Sequence, residues 1–332
     1  MTRKVICITP IKNEAWILPI FLKSASLWAD HIIISDQGST DESVVIAKSF
    51  EKVILIENKG LGYNEAERQA QLIDEARKIE GNNNIFMALD ADELLVNYHN
   101  NPEWEALKNE TPGTTFWLPW LNILPDFVDF YASTGGEMLF GYINDNRKHK
   151  GNTIHSPRVP SDLTEKKVIF KALKILHFQY ALKERLLSKH RWYECFEKIK
   201  HPHRNNIDIY RQYHHIDLPV KNIEKINPEW LKKLTENKIY LADIKDDGNY
   251  WWDKEVCLWF DQFGLKHFKK LAIWYPDWPK IYSININKNP SHIKDPRNTL
   301  DKMVHHWLAK SQSNRFSFKN KVINKFLRII NW

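Results

Sequence analysis

The chain has 332 residues, 43% of them apolar, with 14 Trp, 12 Tyr and 16 Phe; this is enough for one large or two modest folded domains and excludes wholesale disorder. A net charge of +7 favours anionic neighbours: nucleic acid, an anionic membrane surface, or phosphorylated small molecules. Three widely separated cysteines, Cys7, Cys195 and Cys257, form neither a metal-ligand spacing nor a disulfide framework, so a reducing cytosol is expected.

The first half alternates strands and helices. Val5-Ile6-Cys7-Ile8 is a continuous apolar run that predicts a strand buried on both faces and ended by Pro10. Apolar positions at helical spacing predict a helix from Asn13 to about Leu27 despite Pro19, and His31 to Ser35 reads as a second buried strand. Thr40-Asp41-Glu42-Ser43 opens a helix to about Phe50 with acidic residues in its first turn, where the helix dipole favours them. Val53–Ile56, a helix from Glu65 to about Ile79, and a strand Ile85–Leu89 running into Asp90 complete the series. The order βαβαβαβ predicts a parallel sheet flanked by helices, with ligands beyond the carboxyl ends of the strands. Polar loops collect at those ends: Pro10 to Glu14, Asp36 to Ser39, and Asp90-Ala91-Asp92-Glu93. From about residue 115 the pattern becomes irregular, and beyond Ala181 helices dominate, including Trp251 to about Phe268 and Met303 to Leu308.

Thr9-Pro10-Ile11-Lys12-Asn13-Glu14, then Asp36-Gln37-Gly38-Ser39-Thr40-Asp41, then Arg68, then Asp90-Ala91-Asp92 resemble, in kind and order, the landmarks of glycosyltransferase family 2, most strongly over residues 3–96. The resemblance implies an α/β fold of the GT-A type with a mostly parallel sheet over residues 1–180. A mainly helical region, 181–332, would follow and face the acceptor or a membrane. It also implies an inverting transfer of sugar from a nucleotide-diphosphate donor, a UDP-sugar in the first instance, to a glycan or glycolipid acceptor, as in polysaccharide biosynthesis. A divalent cation neutralises the charge that develops on a diphosphate leaving group, and hard cations want oxygen ligands. By the resemblance Asp92 holds Mn²⁺ or Mg²⁺, Asp90 contacts ribose or metal, and His177 is a further metal ligand. A satisfied core histidine is the plainer account of His177, as a solvated acidic turn is of Asp-x-Asp. Pro10, Lys12 and Asn13 approach the base and ribose, although Asn13 also suits a cap on the following helix. Asp36 sits near the base, and Gln37 stands where relatives often carry a second acid; its amide can still hydrogen-bond an imide edge. Arg68 faces the base or diphosphate, or else pairs with Glu65 or Glu67 on its own helix.

Inverting transfer also needs a general base. Glu137, which follows Gly135-Gly136, and Asp145 are the candidates, with Asp126 and Asp129 behind them; His155 and Arg158 are looser candidates for an acceptor or phosphate contact. A catalytically silent GT-A binding module and a sugar nucleotidyltransferase are the alternatives. The second usually wants a Gly-rich loop after strand one, and Thr9 to Asn13 contains no Gly.

No stretch nears the roughly 18 apolar residues of a spanning helix, and the amino terminus lacks a signal peptide's long apolar core. At the other end, Arg315, Lys319, Lys321, Lys325 and Arg328 interleave with Phe316, Phe318, Val322, Phe326, Ile329 and Ile330, without one acidic residue. That is the composition of an interfacial helix on anionic lipid, or of a terminal helix docked on its own core. The expectation is a cytoplasmic protein, peripheral at the inner face of the membrane through 315–332, with no nucleic-acid partner because no recognisable binding motif is present.

Overall fold

The computed structural model describes residues 2–58, 64–162, 165–330 and 332. The strands are β1 (Val5–Ile11), β2 (His31–Asp36), β3 (Val53–Glu57), β4 (Ile85–Ala88), β5 (Glu93–Val96), β6 (Thr115–Ile123), β7 (Asp129–Ile143), β8 (Lys167–Ile169), β9 (Lys174–His177) and β10 (Glu224–Lys225). The helices are α1 (Leu18–Ala25), α2 (Ser43–Lys48), α3 (Glu65–Ala76), α4 (Pro102–Lys108), α5 (Lys183–Lys200), α6 (Asn206–Tyr213), α7 (Lys232–Glu236), α8 (Trp251–Phe263), α9 (Trp278–Ile286), α10 (Thr299–Ser311) and α11 (Phe318–Ile329). Two compact units result: residues 1–182 with 222–249, and residues 183–221 with 250–332.

The first unit holds the sheet, in the order β3-β2-β1-β4-β7-β6-β9-β5. β3, β2, β1 and β4 run parallel; β7 then pairs antiparallel with both β4 and β6, β9 lies parallel to β6, and β5 closes the row antiparallel to β9. The apolar runs of β1, β2 and β4 are buried on both faces, as their lack of alternation requires, while β3 at the edge is half-buried. Val5, Cys7 and Ile11 pack with Ile17, Phe21 and Leu22 around α1, while Ile6 and Ile8 pack with Leu72, Ile73 and Ala76 of α3. Residues 222–249 return to this unit after the chain has entered the second. Ile226, Leu234, Ile239 and Leu241 join its core, and β10 pairs with β7 at Phe130 and Asp129.

Two expected boundaries move. Pro10 does not end β1, because pairing with β4 stops at Ile8↔Ala88 while pairing with β2 continues to Ile11↔Asp36. From there β1 is bonded on one side only, where a missing N–H is tolerated. The first helix begins at Leu18 rather than Asn13, with Pro19 in its first turn. Asn13 has φ +56°, the left-handed region, and so cannot start a right-handed helix there.

The second unit is helical, and one of its cores joins Ile207 and Tyr210 to Val304, Leu308, Leu327 and Trp332. It buries several charges in pairs. His214 lies 3.0 Å from Glu194 through Nε2 and 3.0 Å from Asp217 through Nδ1, and it stacks on Tyr210 at 4.1 Å. Burial alone would lower its pKa, but the two carboxylates outweigh that and raise it to about 9. A raised histidine pKa contributes stability that is fully present below the unfolded value and disappears as pH climbs through the folded one. The unit is therefore expected to lose up to about 3 kcal/mol from this group between pH 6.5 and 9. Denaturant melts of wild type and His214→Gln across that window check it: the variant should lack this part of the pH slope, and parallel slopes would refute it.

Candidate active site at the carboxyl edge of the sheet

From β1 the chain steps outward through β2 and β3 and then returns to the other side of β1 with β4. The crevice at the carboxyl ends of β1 and β4 is thus the switch point where open α/β sheets bind ligands. Four polar segments meet this edge.

The loop after β1 is latched to the loop after β2. The Asn13 side-chain oxygen accepts the backbone N–H of Thr40 at 2.7 Å and of Asp41 at 3.3 Å, and the Asn13 N–H donates to Ser39 Oγ at 2.9 Å. Glu14 N–H donates to Ser43 Oγ, and Ala15 N–H to the Asp41 carboxylate. Asn13 is therefore a buried tie between loops and not a helix cap, and its side-chain oxygen is spent within the protein. Asp36 is committed in a similar way, accepting the N–H groups of Gly38 at 3.2 Å and Ser39 at 3.1 Å, with Gly38 at φ +78°. Lys12, half-buried, and Pro10 stand between these ties at the strand end.

Gln37 and Arg68 come together. Arg68 Nη1 donates to Gln37 Oε1 at 3.0 Å across the loop–helix junction. Glu65 accepts from Ser156 N–H at 2.8 Å, and its own N–H donates to the Thr153 carbonyl. Those two bonds pin the loop before Arg158 to the start of α3. With its oxygen facing Arg68, the Gln37 amide keeps its N–H₂ for a carbonyl-bearing partner.

Asp90-Ala91-Asp92 forms a tight turn between β4 and β5, closed by Glu93 N–H on the Asp90 carbonyl at 3.0 Å. The two aspartates look to different neighbours. Asp90 Oδ2 takes Arg158 Nη2 at 3.0 Å. Asp92 Oδ2 lies 3.8 Å from His177 Nε2, too far for a hydrogen bond. The β5–β9 register sets this distance, since it places Glu93 opposite His177, and Phe178 N–H donates to the Asp92 carbonyl at 2.8 Å.

His177 is buried, stacked on Trp120 at 4.4 Å, with Nδ1 2.8 Å from Asn122 Oδ1. Asn122 spends its N–H₂ on Ser133 Oγ, so its oxygen faces the ring and Nδ1 carries the proton. Nε2 then presents its lone pair on the Asp92 side, the orientation in which a hydrogen-bond acceptor behind the ring fixes a metal-binding imidazole.

Glu93 is fully buried; burial raises its carboxyl to about 7, against the pull of Arg158. It accepts from Asp90 N–H at 2.8 Å and from Arg158 through both oxygens. Glu93 had no functional signal in the sequence beyond its place after the acidic pair, and Arg158 had only a weak one.

The candidate bases separate. Glu137 sits on β7 opposite Pro119, four residues before Gly141, which pairs with Met87 of β4. β7 runs antiparallel to β4, so Glu137 lies toward the carboxyl edge. The bulge beside it, with Gly135 at φ +108° and Gly136 at φ +81°, turns the strand at the rim. Asp145 follows the other end of β7, where Asn144 N–H bonds the Asn84 carbonyl just before β4. Against the burial that would raise it, Arg147 at 2.7 Å holds Asp145 below the usual carboxylate range. It is a structural partner at the opposite edge and cannot serve as base here. Asp126 is spent on the turn N–H groups of Val128 and Asp129.

The donor set of Asp92 oxygen and His177 nitrogen fits a divalent cation of the Mn²⁺ or Mg²⁺ kind. Among the described residues no three Asp, Glu, His or Cys side chains converge as a ready metal site. Two protein ligands, completed by phosphate oxygens and water, are in keeping with how such ions bind.

Residues 6–96 match the family model described as glycosyl transferase family 2. Among solved structures, the chain is similar to glucosyl-3-phosphoglycerate synthase from Mycobacterium tuberculosis in complex with Mn²⁺, uridine-diphosphate and glucosyl-3-phosphoglycerate. That match has 18% identity and a TM-score of 0.27, over 36% of this chain and 44% of that one. HddC from Yersinia pseudotuberculosis matches at 11% identity and a TM-score of 0.31, over 52% of this chain and 93% of that one. A structure of 4-diphosphocytidyl-2C-methyl-D-erythritol synthase matches at 14% identity and a TM-score of 0.26, over 42% and 74%. The chain spans less than half the length of the mycobacterial synthase.

Proposed function

We propose that this chain, whose residues 6–96 are a glycosyl transferase family 2 segment, is an inverting, metal-assisted glycosyltransferase that takes a UDP-sugar as donor and a glycan or lipid-linked sugar as acceptor. One observation carries the reading: Asp92 and the lone-pair nitrogen of His177 stand 3.8 Å apart at the switch-point edge of the sheet. Bound there, Mn²⁺ or Mg²⁺ would neutralise the leaving diphosphate, and an imidazole ligand favours Mn²⁺ of the two. Asp92 and His177 would hold the ion. Gln37, oriented by Arg68, supplies amide N–H groups to a base carbonyl. Asp90 accepts from ribose hydroxyls, and Lys12 and the Pro10 backbone line the same side. Asn13 and Asp36 act indirectly, by holding the loops that carry these groups. Glu137 takes the proton from the acceptor hydroxyl.

The test is thermal denaturation with UDP and Mn²⁺, separately and together, followed by turnover across a panel of nucleotide sugars. A ligand that binds only the native state raises the melting temperature. Stabilisation that needs both components and turnover of one UDP-sugar are the expected results. In Glu137→Gln the stabilisation should persist while turnover falls about 10²-fold. No response to any nucleoside diphosphate would sink the reading. Binding without turnover of any sugar nucleotide would favour a silent binding module.

The acceptor side draws on α11, whose Phe318, Val322, Phe326 and Ile329 fall within roughly 80° of one another at 3.6 residues per turn. All four are exposed, Phe318 at 84% and Ile329 at 70%. Leu327 and Asn320 on the opposite side are buried. Lys319, Lys321, Lys325 and Arg328 flank the apolar stripe, and no acidic residue lies between 315 and 332; of that segment Asn331 is outside the described residues. A cation-flanked apolar face of this kind complements an anionic lipid surface. No helix among the described residues is long and apolar enough to cross a membrane. Co-sedimentation with vesicles should therefore require anionic lipid and fall at least about tenfold in Phe318→Ser/Ile329→Ser. Equal binding to neutral vesicles, or an unaffected variant, would refute the contact.

A further inference from the structure

Arg158 has no part in the chemistry proposed for the site, yet its guanidinium is bonded to Glu93 through both carboxylate oxygens, to Asp90 Oδ2 at 3.0 Å and to the Ala88 carbonyl at 3.3 Å. The group lies over Phe140 at 4.9 Å and Trp120 at 5.8 Å. Glu93 in turn accepts the Asp90 N–H at 2.8 Å, so the first aspartate of the motif is held by its backbone and by its side chain. The second feels the charge of Arg158 but is not one of its hydrogen-bonded partners here, and stands by His177. A planar guanidinium with a bidentate carboxylate partner has a fixed direction, and a lysine could not make the same set of bonds.

From this division we infer that Arg158, oriented by Glu93, is a positioning residue that keeps Asp90 out of the cation's coordination shell and leaves Asp92 and His177 as the protein's ligands. The two carboxylates of one short motif thus have different work, set by their surroundings. Asp90 has its charge balanced within the protein and serves the nucleoside, while Asp92 serves the ion. The inference rests on the glycosyltransferase reading for the presence of that ion.

The experiment is Mn²⁺ binding in the presence of UDP, followed by the free-Mn²⁺ electron paramagnetic resonance signal, with ¹⁴N coupling as the report on His177. In the wild-type background Asp92→Asn should weaken binding about tenfold or more, and Asp90→Asn by less than about threefold with the ¹⁴N coupling kept. In an Arg158→Gln background Asp90 is released to join the ion, so adding Asp90→Asn should now cost about tenfold; a purely structural role for Arg158 would produce no such coupling. Equal losses in Asp90→Asn and Asp92→Asn in the wild-type background would overturn the inference even if no Arg158 variant folds. So would an Arg158→Gln protein whose Mn²⁺ affinity is still indifferent to Asp90. Absence of Mn²⁺ binding by the wild type with any nucleoside diphosphate would bring down the glycosyltransferase reading and this inference together. Binding with equal losses would bring down only the inference.

Discussion

Asp92→Ala is expected to reduce turnover of the sugar-nucleotide donor by about 10³-fold or more while the protein melts within a few degrees of wild type. The magnitude reflects the charge that the ion must offset. Stabilising a leaving diphosphate is worth several kcal/mol in the transition state, and about 4 kcal/mol corresponds to three powers of ten in rate. The fold should survive because Asp92 lies on a turn whose integrity depends on backbone bonds, Glu93 to Asp90 and Phe178 to Asp92, which alanine keeps. His177→Ala should be less severe in rate but more disruptive. It removes a buried ring stacked on Trp120 and leaves Asn122 Oδ1 without its partner. Asn122→Leu gives the cleanest contrast, since it spares both proposed ligands but frees the imidazole tautomer; a loss of about 10- to 100-fold in metal affinity is the expected result. Single-turnover kinetics with saturating donor checks the series. An Asp92→Ala enzyme that retains turnover within tenfold of wild type would remove Asp92 from the chemistry.

Arg191→Met should destabilise the second unit by about 3–5 kcal/mol. Arg191 on α5 donates to both oxygens of Asp253 on α8, at 2.9 and 2.5 Å, and to the Tyr275 hydroxyl at 2.9 Å, with its guanidinium over the Tyr275 and Trp278 rings. Both members of the pair are almost fully buried. Taking away the cation leaves Asp253 inside the protein without its countercharge, which costs far more than the pair itself contributes. Arg191→Met/Asp253→Leu should accordingly recover most of the loss, because two apolar groups need no solvation. Guanidinium unfolding read by tryptophan fluorescence suits this unit, whose Trp192, Trp252 and Trp278 are buried there. A single variant that loses less than about 1 kcal/mol would show that the site admits water or that Asp253 finds another donor.

The part of the fold that sequence reasoning could reach is the part stabilised locally. β1, β2, β3 and β4 are unbroken apolar runs, each followed by polar residues, and parallel order follows from the helices between them. The acidic turn follows β4, Gln37 follows β2 and Arg68 lies on α3, positions that the local pattern makes legible for the same reason. What stayed hidden depends on partners distant in the chain. β9 lies between β6 and β5, and β7 bends at Gly135-Gly136; neither fact is coded by a period. Arg68 lies beside two glutamates in sequence, yet it bonds Gln37, 31 residues earlier. Asp145 falls within a plausible distance of the acidic motif along the chain, but an antiparallel strand carries it to the far edge. Glu93 and Arg158 are 65 residues apart, and only the fold reveals that one fixes the other.

The return of residues 222–249 to the first unit also orders events during synthesis. Ile226, Leu234, Ile239, Leu241 and Ile244 complete a core whose other buried members are all made by residue 182, with α5 and α6 translated in between. The nascent sheet therefore waits, with an apolar gap exposed, while 39 residues of the other unit emerge from the ribosome (183–221). A chain released at residue 182 would carry that gap permanently, so the sheet-bearing unit of this protein is not a module that can be cut out at its apparent border.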